Sequence, residues 1–248
     1  MRNTLFYKTL LDFSDPTPVA RIVRGVSWTA AVLTDGRTGV AMHTEGESRP
    51  RRFETLEGLP ARQAAEALFS WNLEEASEGL AVVNAVYNTM ERAEALCGPA
   101  PTDALEGLDL TGKRVGLVGN LLGHGGITPE VLAPAREVVI LEREPREGDY
   151  PDSACEYLLP DCDLVVITGS AAINKTLPRL LTLAAGAEIV LTGPSVSLCP
   201  ALLELGILRL SGQIIREPEA MLAAIVEKRR SVNAFSRRFS MEKRGSEA

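Results

Sequence analysis

Apolar residues fall along the chain in two rhythms, and the change between them comes near residue 100. Before it, "RIVRGVSWTAAVLTDGRTGVAMHT" (residues 21–44) holds two β-rich runs joined through Asp35-Gly36. An Asp-Gly pair between β-branched segments predicts a hairpin, because the turn needs a positive φ that glycine adopts without steric cost. A third extended piece is expected around Phe53. Further on, "ARQAAEALFSW" and "SEGLAVVNAVYNTMERAEALC" space their apolar residues three and four apart, which predicts two helices, with Ser77 capping the second. Residues 1–98 therefore read as a small α+β domain.

The stretch "CGPAPTDALEGLDLTG" gathers Pro, Gly and acids as a linker does, placing a linker at residues 99–112. Beyond it the rhythm becomes strand, turn, helix. "KRVGLVG", "EVVILE", "DLVVITG" and "AEIVLTG" are apolar without alternation, as strands covered on both faces must be, and "ILRLSG" supplies a fifth. Helices are expected between them at 127–135, 152–159, 175–185 and 198–205, and a last one at "PEAMLAAIVEKRR", where Pro suits the first turn. Strands alternating with helices predict an α/β fold, a Rossmann-like parallel sheet over residues 113–230. Residues 231–248 read as a basic tail.

Composition narrows the functions. The 248 residues are 45% hydrophobic and carry a formal charge of −7, against general nucleic-acid binding, which needs clustered Lys and Arg. From Lys228 onward seven bases face two acids, leaving the preceding residues near −12. The bases read as a solvated helix end and loose tail, or as a tail lying on an acidic body or partner. The start "MRNTLFYKTLLDFSD" lacks the pattern of a signal peptide and no run is long enough to insert in a membrane, so a cytoplasmic protein is expected. Four cysteines (Cys97, Cys155, Cys162, Cys199) and two histidines (His43, His124) show no zinc spacing, and reduced, buried thiols are the expectation.

In an open parallel sheet, ligands sit outside the carboxyl ends of the strands, where loops and helix N-termini converge. Those ends read "GNLLGHGG", "EREPREGD", "TGSAAINKT" and "TGPSVS". No window starting at Gly116 or Gly119 spells G-x-G-x-x-G, and Pro129 interrupts the helix that should follow, so a dinucleotide fingerprint is only partial. Glu142, at the end of the next strand, stands where an acid takes a ribose hydroxyl. His124 reads as a proton carrier, a ligand or a solvated loop side chain. Glu142 and Asp149 are either ligand contacts or members of a hydrated charged loop. Thr168, Gly169 and Ser170 offer amides and hydroxyls to an anion, while Asn174 either joins them or caps a helix with Thr176. Asn84 and Asn88, four apart on one helix face, either line a cleft between the domains or bond to another helix.

Taken together, "GLAVVNAVYN", "VGLVGN", "LEREPREGDYPDSACEYLLPDCDLVVITGSAAINKTLPRLL" and "LTGPSVSLCPALLELGI" resemble the DUF4213/DUF364 family of heavy-metal-chelation proteins over residues 10–228. The resemblance implies an enolase N-terminal-like domain before the Rossmann-like one, and a site in the cleft between them. The positions that match are Asn84, Asn88, Gly119, Asn120, Glu142, Arg143, Pro145, Gly148, Asp149, Thr168, Gly169, Asn174, Gly193, Pro194 and Ser195. It implies as ligand a metal ion, with Glu142 and Asp149 as oxygen donors, or a metal chelate held by hydrogen bonds; scarce Cys and His favour the chelate. An enzyme acting on a small anionic or nucleotide-like substrate is the alternative, and a protein-binding scaffold a third. No catalytic triad can be assembled, so enzyme activity stays open, as does assembly into a homo-oligomer.

Overall fold

A computed structural model describes residues 2–45, 49–96 and 103–242. The first half opens with α1 (Arg2–Leu10), then a three-stranded antiparallel sheet of β1 (Val19–Arg24), β2 (Trp28–Leu33) and β3 (Thr38–Met42). The Asp35-Gly36 turn joins β2 to β3, with Gly36 at φ 88°. Helices α2 (Ala61–Ala64, continuing as a 3-10 turn to Phe69), α3 (Leu73–Tyr87) and α4 (Met90–Leu96) follow.

Three local expectations change. The segment around Phe53 is no strand, because the backbone N–H groups of Arg52 and Phe53 donate to the buried Glu75 carboxylate instead of to a neighbouring strand. Helix α3 starts four residues before Ser77: the Asn72 side chain accepts from Glu75 N at 3.0 Å as the cap, and Ser77 Oγ donates to Leu73 O one turn inside. The second predicted helix also breaks at Asn88, so that α3 and α4 are separate.

The second half is built on a seven-stranded sheet in the order β10-β9-β8-β7-β4-β5-β6. Its strands are β4 (Arg114–Val118), β5 (Glu137–Glu142), β6 (Tyr150–Pro151), β7 (Leu164–Thr168), β8 (Glu188–Thr192), β9 (Arg209–Ile215) and β10 (Ser236–Glu242). All pairings are parallel except β9 with β10. The interiors of β4, β7 and β8 are buried on both faces, as their unbroken apolar runs require. Helices α5 (Pro129–Leu132), α6 (Cys155–Leu158), α7 (Leu177–Leu183) and α8 (Pro218–Val226) are short. The stretch expected as a helix at 198–205 is a 3-10 segment, Pro200–Leu205. Part of the expected tail is sheet: Ser236 to Glu242 pair residue by residue with Ile215 to Arg209. Lys243, Arg244 and Glu247 lie outside the described residues, as does Cys97.

The halves share their cores. One face of the three-stranded sheet (Ala31, Leu33, Ala41) joins α3 in a cluster that runs on into Ile167, Ala171 and Val196 of the second half. Contact with α3 is close: a Cβ on Gly39 would lie 2.1 Å from Ala85 N, so only glycine fits. The opposite face (Ala30, Val40) is covered by Met221, Leu222 and Ile225 of α8, from the far end of the chain. Each large side chain buried this way contributes roughly 1.5–3 kcal/mol, so the apolar contact between the halves is a substantial part of the stability.

Candidate functional site

Strand β4 pairs with β5 on one side and β7 on the other, while the chain proceeds outward in both directions. That makes the gap between the carboxyl ends of β4 and β7 the switch point of the sheet, where flanking loops diverge and leave a crevice. Gly119 leaves β4 with φ 102°, and a Cβ there would sit 2.8 Å from Thr168 Cγ2 at the end of β7. Glycine thus fits both the turn and the close approach.

A cavity of about 290 Å³ opens above this point. Its floor is Val118, Gly119, Leu141 and Thr168, and its polar rim is Asn120, Glu142, Ser170 and Asn174. Met42 and Thr44, at the end of β3, form the wall supplied by the first half. The Met42 N–H donates to Ser195 Oγ at 2.8 Å, tying that wall to the loop after β8. Thr168 Oγ1 and Ser170 Oγ are 3.0 Å apart, two hydroxyls facing one opening. Asn174 Oδ1 accepts from the Thr176 N–H and hydroxyl, which leaves its amide nitrogen available. Arg143 N donates to Glu142 Oε1 at 2.7 Å and fixes that carboxylate at the end of β5.

Several expected residues stand elsewhere. Asn84 and Asn88 are in the core, with 0% and 3% of their surface exposed. Asn84 Nδ2 donates to Val40 O at 2.8 Å, and its carbonyl accepts from Ser197 Oγ. Asn88 donates to Val196 O at 2.8 Å and Gln213 O at 3.2 Å and accepts from Leu198 N at 2.8 Å. Asn88 is spent on backbone of the second half, Asn84 divides its bonds between Val40 O in its own half and Ser197 Oγ and Pro194 O in the second, and neither lines this cavity. Asp149 accepts from Arg146 N at 3.0 Å within its own loop and is not among the residues that line the cavity, whereas Glu142 is. Gly169 is buried against Ser195 and Val196, where no side chain would fit. Pro145 and Gly148 are exposed on the charged loop.

Asp152 and Cys155, which follow the short β6, line the cavity although neither is expected at the site; Cys155 is expected only as a buried thiol. Burial, reinforced by the Asp152 carboxylate, pushes the Cys155 thiol up to about 11. Among the described residues no three His, Cys, Asp or Glu side chains converge as metal ligands. The residues therefore do not fit a bare heavy-metal ion.

A second chamber of about 340 Å³ adjoins the first across Met42, Asn120, Leu121 and Thr168. It extends along the carboxyl ends of β7 and β8, past Thr192, Gly193 and Pro194, to His124 and Arg238. The Gly-rich loop is closed on itself, with His124 N donating to Leu121 O and Ile127 N to His124 O, both at 3.0 Å. The helix after it, α5, has four residues and is capped by Thr128. It presents no long N-terminus to a phosphate, in line with the partial fingerprint.

A family model described as "Putative heavy-metal chelation", DUF364, matches residues 103–242, and a second with the same description, DUF4213, matches residues 7–87. The chain belongs to the DUF364/DUF4213 family. A DUF364-family crystal structure from Desulfitobacterium hafniense DCB-2, a protein with unknown function, is 32% identical and superposes with a TM-score of 0.84 over 97% of this chain and 98% of its own. Another from Pyrococcus horikoshii, at 22% identity, TM-score 0.78 and coverage of 98% and 100%, shares the fold. Uncharacterized protein MJ0500 of Methanocaldococcus jannaschii is 28% identical over 137 residues, covering 54% of this chain and 51% of its own length. The chain thus spans about half of that curated relative. The DUF364/DUF4213 architecture found here is a small antiparallel sheet with helices beside a mostly parallel seven-stranded sheet. Among its described residues no helix is long and apolar enough to cross a membrane.

Proposed function

We propose that the protein binds a small organic metal chelate in the crevice between its halves, rather than a bare metal ion. The observation that carries this is the donor set at the switch point. Hydroxyls of Thr168 and Ser170 and amides of Asn120 and Asn174 surround a cavity of about 290 Å³, with no converging group of metal-ligating side chains among the described residues. Such donors hold an organic ligand by hydrogen bonds and leave its metal already coordinated. The description attached to the family, chelation of heavy metals, is met in this way without a converging set of side-chain ligands among the described residues.

Equilibrium dialysis tests the reading, run in parallel against nickel or ferric salts and the same metals complexed to citrate or nitrilotriacetate, and read by elemental analysis. Metal should be retained from the complexes and not from the bare salts, and Gly119→Val should abolish retention. Equal retention from bare salts, or none from any complex, refutes it.

A second reading, an enzyme on a nucleotide-like substrate, is favoured by one observation: Glu142 ends β5 beside the switch point, where parallel-sheet domains set an acid against a ribose hydroxyl. Nucleotides and S-adenosylmethionine that raise the melting temperature in a Glu142-dependent way would replace the chelate reading with this one.

A further inference from the structure

The second chamber differs in charge from the rest of the molecule. On a protein of net charge −7, its lining includes Arg230, Arg238 and His124, and no Asp or Glu. Arg238 reaches it from β10, the antiparallel edge strand, whose residues 236, 238, 240 and 242 share one face with residues 209, 211, 213 and 215 of β9. That shared face is polar and largely buried. Ser211, Gln213 and Ser240 are at most 4% exposed, Ser240 Oγ donates to Ser211 Oγ at 3.1 Å, and Gln213 is held between Asn233 and Ser236.

Arg238 differs from several half-buried or buried arginines of the chain, which meet a carboxylate. Arg209, at the other end of β9 on the same face, is paired with Glu242 and donates to Ala104 O. Arg37 has Asp15 and Asp35, and Arg51 has Glu78. Arg238 has only neutral acceptors, Thr192 Oγ1 at 3.1 Å and Ser211 Oγ at 3.3 Å, both on one nitrogen, and no carboxylate within ion-pairing distance among the described residues. Asp103 attracts it from farther off, and burial lowers its affinity for the proton. The Gly125 backbone lies over the guanidinium so closely that a Cβ would be 3.0 Å from Nη1. A guanidinium has five N–H donors in a planar fork, and most of these remain to be used.

We propose that the second chamber is an oxyanion site, in which Arg238 receives a carboxylate or phosphate end of the ligand whose remainder occupies the first chamber. This rests on the reading that the crevice takes a small organic ligand, and it adds the chemical class: an elongated molecule with an acidic end. Thr192 and Ser211 hold the guanidinium in place, and a planar fork lining the chamber can recognise two oxygens at once. Arg238 is thus a specificity-determining residue, selecting for the charged end, while the neutral rim of the first chamber accepts the body of the ligand.

Calorimetric titration at low ionic strength, with metal-free citrate and inorganic pyrophosphate as probes, tests the proposal on the full chain. At least one of the two should bind, and the stronger identifies carboxylate or phosphate as the preferred end. Arg238→Gln should weaken that binding at least ten-fold, and Arg238→Lys should recover part of it. Arg237→Gln, which removes the same charge from the exposed neighbour on β10, should change it less than two-fold. Modification of the wild type by phenylglyoxal, mapped by mass spectrometry, serves should the variants fail to fold: the bound probe should slow the reaction of Arg238 at least ten-fold. No binding of either probe, binding indifferent to Arg238→Gln, or unslowed modification overturns the proposal. Chelate retention that ignores Arg238 would overturn this site alone, and oxyanion binding without any chelate retention would overturn the chelate reading alone.

Discussion

Replacing Asn88 by Ala should loosen the joint between the halves. Its side chain makes three hydrogen bonds to backbone of the second half: to Val196 O, Gln213 O and from Leu198 N, at 2.8, 3.2 and 2.8 Å. Truncation leaves the buried Leu198 N–H without its partner, at a cost of roughly 1–3 kcal/mol, and forfeits two further bonds worth about 0.5–1.5 kcal/mol each. A central value of about 4 kcal/mol is a large share of the roughly 5–15 kcal/mol that a domain commonly has. For a chain of this length it corresponds to a fall of roughly 8–16 °C in melting temperature. Urea unfolding measures the loss, followed by tryptophan fluorescence and far-UV circular dichroism. Both tryptophans, Trp28 and Trp71, lie in the first half, so a loosened joint also separates the fluorescence transition from the dichroism one. A loss below about 1 kcal/mol with coincident transitions would refute the argument that these bonds hold the halves together.

Glu78 is fully buried between Arg24 and Arg51, with contacts of 2.6 Å to each. Burial works to raise its carboxyl, but the hydrogen bonds from Arg51 and Arg24 outweigh it and hold the group below its ordinary value of 4.5. The pairing therefore stabilises the fold fully above pH 4.5 and is lost as the pH falls through the depressed folded value. Glu78→Gln should cost about 3 kcal/mol at neutral pH, and thermal melts should show the gap from wild type closing below pH 4.5; a gap independent of pH contradicts the ion-pair account. Cys155, with its thiol pushed up to about 11, should be alkylated by iodoacetamide at pH 8 far more slowly in the native protein than in urea; equal rates measured by mass spectrometry would contradict its burial.

Strands and their ends were the most legible part of the sequence. Runs such as "DLVVITG" have one physical use, a strand covered on both faces, and the glycines after them mark where it stops. Side-chain partners were less legible. An asparagine pair on a helix reads the same whether its amides meet a ligand or a backbone, and only the fold shows that Gly39 lets α3 approach closely enough for Asn84 to reach Val40 O. Asp149 became a candidate because its loop follows a core strand, yet its carboxylate accepts from Arg146 N and closes that loop. The second chamber was missed because Arg238 was counted among the bases of a tail. A signal was present: Ser236, Arg238, Ser240 and Glu242 alternate with period two, opposite Arg209, Ser211 and Gln213, the mark of two strands sharing a polar face.

The covering of the three-stranded sheet by α8 bears on how the molecule comes into being. The sheet is complete by residue 42, but the helix over its outer face begins at Pro218, so Ala30 and Val40 find their partners only once residues 221–225 have been made. Maturation of this protein during synthesis therefore has a waiting step: its first β-structure stays open on one apolar side until a helix made after most of the second sheet covers it.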